Sequence, residues 1–431
     1  MNKPRSVVVT GMGVISAIGR DTHEFARALR EGRSGIGYLA QSSAYCPLGY
    51  IGAGLSDFCF VPGLRQYSGL PAGLLQRAEQ CARRSPLMVQ SAVLSSLEAW
   101  QQARLYEQPI PTRQMGIVVA GSNLTQRYQY DNRQKFQESP EYLSPWYALH
   151  FFDTDHVGTL SEIFSIQGEG FTVGGASASG NTAIIKGFQA IRSGLVEACL
   201  VAAPMTDLSP MEMQGFSNLG AMGGKNYYHE PGKACRPFDK DHEGFIYGQS
   251  SASLVLESRE SAKKREVEVL AEIVGGALVL DGNRLADSTV EGETRAMEEA
   301  LAQAHLQPGH VDYINTHGTS TPLGDETEIR AIKKVLKNDL ERVWLNSTKS
   351  LVGHCLSSAG VVEAAAVVIQ MREGFVHPNL NLDNPIDGDC RFCGPRAVPA
   401  KINLALSNSF GFGGINTSVI FKKPVHQYSI H

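Results

Sequence analysis

The sequence predicts an α/β protein made of two similarly ordered halves, and three observations lead to this prediction. Strand-like apolar runs alternate with helix-like segments along the whole chain, as in a sheet covered by helices. The 431 residues are 42% hydrophobic and 19% charged, which is typical of a globular enzyme and not of a disordered chain. The order of strands and helices begins again near residue 266, although no sequence repeat accompanies it.

The first half alternates between the two kinds of element. The signals are, in order, SVVVTG (strand), HEFARALREG (helix), SPLMVQSAVLSSLEAWQQARL (helix), MGIVVAGS (strand), GNTAIIKGFQAIRSG (helix) and EACLVAAP (strand). We expect the long second helix to have Ser85 as its N-cap and Pro86 at its first position. Residues 205–245 are rich in turn-forming residues and predict a surface loop around a site.

The second half repeats this alternation. Its signals are VEVLAEIVGGALVL (strand), GETRAMEEALAQAHL (helix), VDYINTHG (strand), DETEIRAIKKVLK (helix), RVWLNS (strand), SAGVVEAAAVVIQMREG (helix), INLALSNS (strand) and NTSVIFKK (strand). The charged segment ESRESAKKRE marks the joint between the halves. The predicted units are therefore residues 1–258 and residues 259–431.

Charge and composition exclude several classes of protein. A net charge of −4 argues against a nucleic-acid-binding protein. The N-terminal apolar run is broken by Gly11 and Gly13, so we expect neither a secretory signal nor a membrane span. These glycines also have the wrong spacing for a dinucleotide-binding loop. The eight cysteines are scattered, and the C-x-x-C of Cys390 and Cys393 lacks the second pair of a zinc site. We therefore expect reduced thiols, no metal and a cytoplasmic location.

Polar residues that could carry chemistry follow the predicted strands. Ser177 lies in FTVGGASASGN, His317 in NTHGTSTPLGDETE, and Lys349 and His354 in NSTKSLVGHCLSSAG, while residues 407–416 are glycine-rich. Ligand sites of α/β sheets collect at such strand ends. Two histidines can direct N–H groups at one oxygen, and a helix N-terminus adds backbone donors.

Five sequence blocks carry a family resemblance. FTVGGASASGN, RPFDKDHEGFIYG, NTHGTSTPLGDETE, NSTKSLVGHCLSSAG and NSFGFGGINTSVIF resemble, in order, signature blocks of the type II elongating β-ketoacyl-acyl-carrier-protein synthases of the thiolase superfamily. The resemblance covers essentially the whole chain. It implies a duplicated, layered α-β-α-β-α fold, a homodimer, and a substrate carried on the phosphopantetheine of an acyl carrier protein, with no cofactor of the enzyme's own.

The resemblance also implies roles for individual residues. Ser177 stands where the family has its nucleophilic cysteine, and His317 and His354 where it has two histidines that bind the thioester carbonyl. The remaining matches are Lys349 beside the second histidine, Glu328 as the acid of GDETE, Thr319 and Thr321 as hydroxyls contacting the phosphopantetheine arm, and Phe412 as a gating residue. The backbone N–H groups of Phe412 and Ser177 would complete an oxyanion hole.

The serine is the most informative departure from the family pattern. A hydroxyl is far less acidic than a thiol, and a helix N-terminus contributes only about 1–2 kcal/mol, too little to generate an alkoxide at neutral pH. Self-acylation and condensation should therefore be crippled. Decarboxylation of a malonyl thioester needs no nucleophile, only donors for the enolate oxygen.

The retained groups thus predict a malonyl-carrier-protein decarboxylase that forms acetyl-carrier protein. This resembles the ketosynthase-like decarboxylases that accompany hydroxymethylglutaryl-synthase cassettes, which introduce β-branches in bacterial polyketide pathways. Two further departures fit a specialised member: Gln249 replaces an acidic residue of the family, and Gly174-Gly175 precedes Ser177.

An acidic acyl carrier protein is the expected partner, and we expect a hydroxymethylglutaryl-synthase-like enzyme to act downstream. Arg77, Arg83 and Arg84 are candidates for binding the carrier's phosphate and acidic helix.

Three alternatives remain open from the sequence. The chain could be a condensing synthase with a cysteine-to-serine substitution. It could be an acyltransferase or thioesterase whose Ser177 is activated by a histidine. It could also be a non-catalytic partner subunit resembling a chain-length factor, although retention of His317, His354 and Lys349 argues against this.

Overall fold

A computed structural model describes residues 4–39, 50–284 and 288–424. Its strands are β1 (Val7–Ile15), β2 (Gly37–Tyr38), β3 (Ile51–Ala53), β4 (Met115–Ala120), β5 (Gly170–Val173), β6 (Ala198–Ala203), β7 (Tyr247–Gly248), β8 (Ser251–Ser258), β9 (Ala271–Leu280), β10 (Tyr313–Asn315), β11 (Trp344–Asn346), β12 (Phe375–Val376), β13 (Val398–Pro399), β14 (Leu404–Gly411) and β15 (Ile415–Lys422). Most of the long strands are buried along their whole length, so their sequences are continuously apolar.

Helices cover both faces of these strands. They are α1 (Thr22–Glu31), α2 (Phe60–Leu64), α3 (Ala72–Ala82), α4 (Leu87–Gln102), α5 (Gln126–Glu138), α6 (Tyr147–His150), α7 (Thr154–Phe164), α8 (Ser179–Arg192), α9 (Pro210–Asn218), α10 (Arg259–Lys264), α11 (Val290–Gln303), α12 (Pro322–Leu336), α13 (Lys349–Val352) and α14 (Ala359–Glu373). No helix in the described ranges is both long enough and apolar enough to cross a membrane.

The central sheet repeats one topology twice. Its strand order is β11-β10-β14-β15-β9-β1-β8-β6-β4-β5, and β1 pairs with β9 in antiparallel fashion where the halves meet. Outward from this joint the first half has the order β1-β8-β6-β4-β5, and the second half has the order β9-β15-β14-β10-β11. If the five strands of each half are numbered along the chain, both orders read 1-5-4-2-3. In each, the first two pairings are antiparallel and the last two are parallel. The repeated element order predicted from the sequence is therefore present in three dimensions.

The helices form three layers around the strands. Helix α4 packs on β1 and β8 on one outer face, and α11 packs on β9 and β15 and against α12 on the other. Helices α8 and α14 contact each other and strands of both halves, so they form a central layer. The predicted α/β class with layered α-β-α-β-α packing is confirmed.

The two central helices touch through their backbones. A Cβ added at Gly180 in α8 would lie 2.8 Å from the nitrogen of Gly360 in α14, and a Cβ added at Gly360 would lie 2.6 Å from the nitrogen of Asn181. Only glycine permits this approach, because any side chain would collide with main-chain atoms. The contact holds the N-terminal ends of α8 and α14 together.

Two local predictions were wrong. Helix α4 begins at Leu87 with Pro86 as its N-cap, and the Ser85 hydroxyl donates to the Cys81 carbonyl instead of capping the helix. The segment 205–245 is not entirely loop, because it contains α9, which begins with a capping box formed by Ser209 and Glu212. The sequence S-P-x-E is the signal of such a box.

The cysteines of the described ranges are all free thiols: Cys59, Cys81, Cys199, Cys235, Cys355, Cys390 and Cys393. Cys46, which is also predicted to be a reduced thiol, lies outside the described residues. Burial raises the pKa of Cys393 to about 11. No cluster of three or more metal-ligating side chains occurs in the described part of the chain.

Candidate active site

Ser177 lies at a sharp turn between a strand and a helix. Strand β5 ends at Val173, a 3₁₀ turn spans Ala176–Ala178, and α8 starts directly afterwards. Ala176 has a φ of 47°, a left-handed conformation that a residue with a side chain adopts only at an energetic cost. The turn places the Ser177 side chain at the N-terminal end of α8, where backbone N–H groups and the helix dipole favour negative charge.

Two glycines, one before the turn and one at the end of β14, allow close contacts around Ser177. A Cβ on Gly174 would lie 2.9 Å from the Ser122 Oγ, so glycine makes room for this hydroxyl beside the turn. A Cβ on Gly411, at the end of β14, would lie 2.3 Å from the Gly175 carbonyl oxygen. Gly174 thus makes room for Ser122, and Gly411 makes room for the Gly175 carbonyl, on either side of the turn.

His354 contacts Ser177 directly. The distance between His354 Nε2 and Ser177 Oγ is 2.8 Å. The Leu356 backbone N–H donates to His354 Nδ1 at 3.3 Å, so the neutral ring carries its proton on Nε2. Burial, and then the charge of Lys349, hold the pKa of His354 well below its usual value, which keeps the ring neutral. His354 therefore donates its Nε2–H to the Ser177 oxygen.

His317 faces the same space with a free donor. Its ring centre lies 5.5 Å from that of His354, with the ring planes at 84°. The ammonium group of Lys349 lies 3.4 Å from His317 Nδ1, which makes Nδ1 the acceptor and puts the ring proton on Nε2. No acceptor for this N–H occurs among the residues that the structure describes. Burial, with Lys349 and His354, lowers the pKa of His317 well below its usual value.

Glu328 positions the segment that carries His317. Its carboxylate accepts the backbone N–H of His317 at 2.8 Å and that of Gly318 at 2.7 Å, and the Asn408 side chain donates to it at 3.2 Å. Burial raises the pKa of Glu328 to about 7 although these hydrogen bonds oppose the shift. Glu328 thus acts on the loop backbone.

Lys349 forms a buried ion pair with Glu363 of α14. The Lys349 Nζ lies 2.5 Å from the carboxylate, and both side chains are at most 2% exposed. Lys349 also donates to the His317 carbonyl oxygen at 2.5 Å. One buried cation therefore links α14 to the His317 loop.

Replacing Lys349 with methionine should destabilise the fold by about 3–5 kcal/mol, because it leaves the buried Glu363 without its partner. The free energy of unfolding from urea titration measures the loss. Lys349→Met combined with Glu363→Gln is the matched control and should recover part of that stability. Equal stability of the single and double variants would show that the pair does not act as a unit.

A cavity of about 760 Å³ contains these groups. Its lining includes Ser177, His317, His354, Thr319, Thr321 and Phe412. The Thr319 and Thr321 hydroxyls are hydrogen-bonded to each other at 2.7 Å. Within the described ranges, the backbone N–H groups of Ser177 and Phe412 have no hydrogen-bond acceptor. The structure thus brings together the residues predicted for catalysis and arm binding, with Glu328 just behind them.

Several residues of the cavity wall were missed by sequence reasoning. They come from the segment after β4, from α9 and its neighbours, from the residues just before β7, and from the 3₁₀ turn before α14: Ser122, Asn123, Gln126, Thr206, Leu208, Phe216, Leu219, Phe245, Leu356 and Ser357. The polar set that follows β4 could have been found, because it ends a strand just as His317 does.

Gln249 lies outside the cavity wall and tethers neighbouring segments. Its side chain accepts the Leu55 backbone N–H at 3.0 Å and donates to Asp207 at 3.3 Å. Burial raises the pKa of Asp207 to about 6. A neutral amide here avoids placing a second carboxylate beside this buried one.

The three arginines predicted to bind the carrier lie away from the cavity wall. Arg77, on α3, donates to the Ser165 hydroxyl at 2.8 Å and to the Ile163 carbonyl at 3.3 Å, so it tethers the end of α7. Arg83 and Arg84 follow α3 and are exposed. Their role in carrier binding stays a prediction.

Comparison with known proteins places this geometry in a family. Residues 4–262 match the family model described as beta-ketoacyl synthase, N-terminal domain, and residues 270–383 match that of the C-terminal domain. The chain is 38% identical to the polyketide biosynthesis malonyl-ACP decarboxylase PksF of Bacillus subtilis, over 96% of this chain and 95% of that protein. It is 33% identical to 3-oxoacyl-[acyl-carrier-protein] synthase 2 of Synechocystis, over 97% and 98%.

A solved structure shows the same arrangement. The structure of a type II PKS acyl-carrier protein in complex with its ketosynthase, bound to the hexaketide, contains a chain that superposes with a TM-score of 0.83. That chain is 26% identical, and the match covers 98% of this protein and 100% of that chain. The overall fold of the two halves is thus shared with a solved structure. The chain is a member of the β-ketoacyl synthase family.

Proposed function

We propose that this protein decarboxylates malonyl-acyl-carrier protein to acetyl-acyl-carrier protein in polyketide biosynthesis and does not condense acyl chains. The observation that carries the proposal is a serine at the family's nucleophile position beside neutral histidines whose protons lie on Nε2. The 38% identity to a malonyl-ACP decarboxylase supports the same reaction.

The geometry provides donors for the developing enolate. The His317 Nε2–H and the backbone N–H groups of Ser177 and Phe412, which have no acceptor in the part of the chain that the structure describes, can bind the thioester oxygen. When the bond to the carboxylate breaks, its electron pair moves into the thioester, and the oxygen gains negative charge. Preorganised donors in a site shielded from water stabilise that charge and lower the barrier. We expected both histidines to face the thioester oxygen, but in the free protein the His354 donor is directed at Ser177.

The same geometry disfavours an acyl-enzyme. Ser177 would need a base to remove its proton, but His354 Nε2 already carries one and Nδ1 accepts a backbone N–H. No carboxylate contacts the His354 ring in the described residues, so the third member of a serine-hydrolase triad is missing. The geometry therefore argues against the acyltransferase and thioesterase alternatives, because both need a base that activates Ser177.

The substrate arrives on a carrier protein in this proposal. The phosphopantetheine arm enters the cavity past Thr319, Thr321 and Phe412, and the carrier docks outside, with Arg77, Arg83 and Arg84 as candidate contacts. The protein acts as a homodimer in the cytoplasm. A hydroxymethylglutaryl-synthase-like enzyme then takes the acetyl group for β-branching.

Intact-mass spectrometry of malonyl-loaded carrier protein incubated with the enzyme tests this function. We expect the carrier to lose the mass of one CO₂ while the mass of the enzyme stays unchanged. Acetyl-loaded carrier is the matched control and should remain as it is. An unchanged malonyl carrier, a β-ketoacyl product or an acyl adduct on the enzyme would each contradict the proposal.

A further inference from the structure

The hydrogen-bond direction at Ser177 leaves its own proton available. Because His354 Nε2–H donates to Ser177 Oγ, the serine oxygen acts as the acceptor in that contact. The described residues offer no acceptor for the serine O–H. Ser177 lines the cavity, so this O–H is available to a substrate bound there.

We propose that the Ser177 hydroxyl is the acid that protonates the methylene carbon of the enolate, with His354 stabilising the serine oxygen as it loses its proton. This inference rests on the proposed decarboxylation and deepens it, because release of CO₂ alone does not yield an acetyl group. The serine is then a participant in the second half of the reaction and not a passive replacement for a nucleophile.

The proposed step balances. Cleavage of the carbon–carbon bond leaves CO₂ and an enolate whose negative charge rests on the thioester oxygen. The Ser177 proton moves to the methylene carbon to form the methyl group, and the oxygen's electron pair restores the carbonyl. The resulting serine alkoxide takes a proton from water entering the cavity. One proton from solvent is consumed for each CO₂ released.

Two features of the turn make Ser177 a better acid than an ordinary hydroxyl. A hydrogen bond donated to the charged form of a group favours that form, and His354 donates such a bond at 2.8 Å. The N-terminal end of α8 adds a favourable field at the same oxygen. A hydroxyl is also a stronger acid than the C–H of a thioester, so the transfer to carbon runs downhill.

The other polar side chains predicted for the site each have a hydrogen-bond partner, an ionic partner or another role. The Thr319 and Thr321 hydroxyls bind each other, and Lys349 is held by Glu363. His354 does not replace the serine, because its ring N–H is directed at the Ser177 oxygen 2.8 Å away and not at the substrate carbon. His317 is directed at the thioester oxygen in the proposed mechanism.

Ser177→Ala tests the proposal when malonyl-carrier protein is incubated in ¹³C-bicarbonate with carbonic anhydrase. Without its acid, the enolate should persist and recapture CO₂. We expect acetyl formation to fall by about 10²-fold or more, the scale of general acid catalysis, and ¹³C to enter the carboxyl group of the remaining malonyl. The wild-type protein should form acetyl carrier without labelling the remaining malonyl.

Ser177→Thr is the matched control, because it keeps a hydroxyl at the same position and should suppress the labelling. Ser177→Gly is a second hydroxyl-free variant should the alanine variant fail to fold. Acetyl formation at the wild-type rate in a folded hydroxyl-free variant would overturn the proposal, and so would slow turnover without labelling. Absence of acetyl from the wild-type reaction would instead refute the proposed function itself.

Discussion

Replacing His317 with alanine should lower the rate of malonyl decarboxylation by about 10²–10³-fold, the typical loss on removing one oxyanion donor. The His317 ring N–H faces the cavity and has no acceptor among the described residues, so its removal takes a donor from the enolate oxygen. CO₂ release under single-turnover conditions measures the effect on the chemical step.

His317→Gln is the control for this prediction, because a glutamine amide can place an N–H near the position of Nε2. It should recover part of the rate, whereas His317→Leu, which fills a similar volume without an N–H, should stay as slow as His317→Ala. Decarboxylation by His317→Ala at the wild-type rate would mean that the backbone N–H groups suffice.

Changing Ser177 to cysteine should give the enzyme the acylation that it lacks. A thiol at the N-terminal end of α8 ionises far more readily than a hydroxyl, and a thiolate needs no base to attack a thioester. With an acyl-carrier protein as donor, we expect the enzyme's mass to increase by one acyl group. The wild-type protein should show no such increase.

Ser177→Ala under the same conditions controls for acylation elsewhere, since Cys59 is an exposed thiol. An adduct that survives in the alanine variant would assign the acylation to another residue. If Ser177→Cys remains unmodified, the identity of the nucleophile is not what separates this protein from condensing relatives.

Much of the architecture was predictable because its signals are local. Buried strands such as β4 and β6 are continuously apolar. The polar residues after β5, β10 and β11 mark the segments that contain Ser177, His317 and His354. The turn at Ser177 also has a local signal, because two glycines directly precede it.

The remaining features depend on contacts between residues distant in the chain. Nothing near Lys349 indicates that Glu363 is its ionic partner, or that its ammonium group reaches the carbonyl of His317. The position of the His354 proton depends on the Leu356 backbone N–H, a group that every non-proline residue has. The side chains that follow β4 likewise reach the site because β4 pairs with β5 in the sheet, a pairing that the sequence does not show.

The Gly180–Gly360 contact has a consequence for inheritance. Ser177 lies just before α8 and His354 just before α14, so the spacing of this pair is set where the two helices meet. A recombinant gene that joined the first half of one family member to the second half of another would preserve the site only if each half supplied its glycine at this contact. The outer faces of the two halves can therefore change independently, whereas the residues at the contact between α8 and α14 must stay compatible with each other.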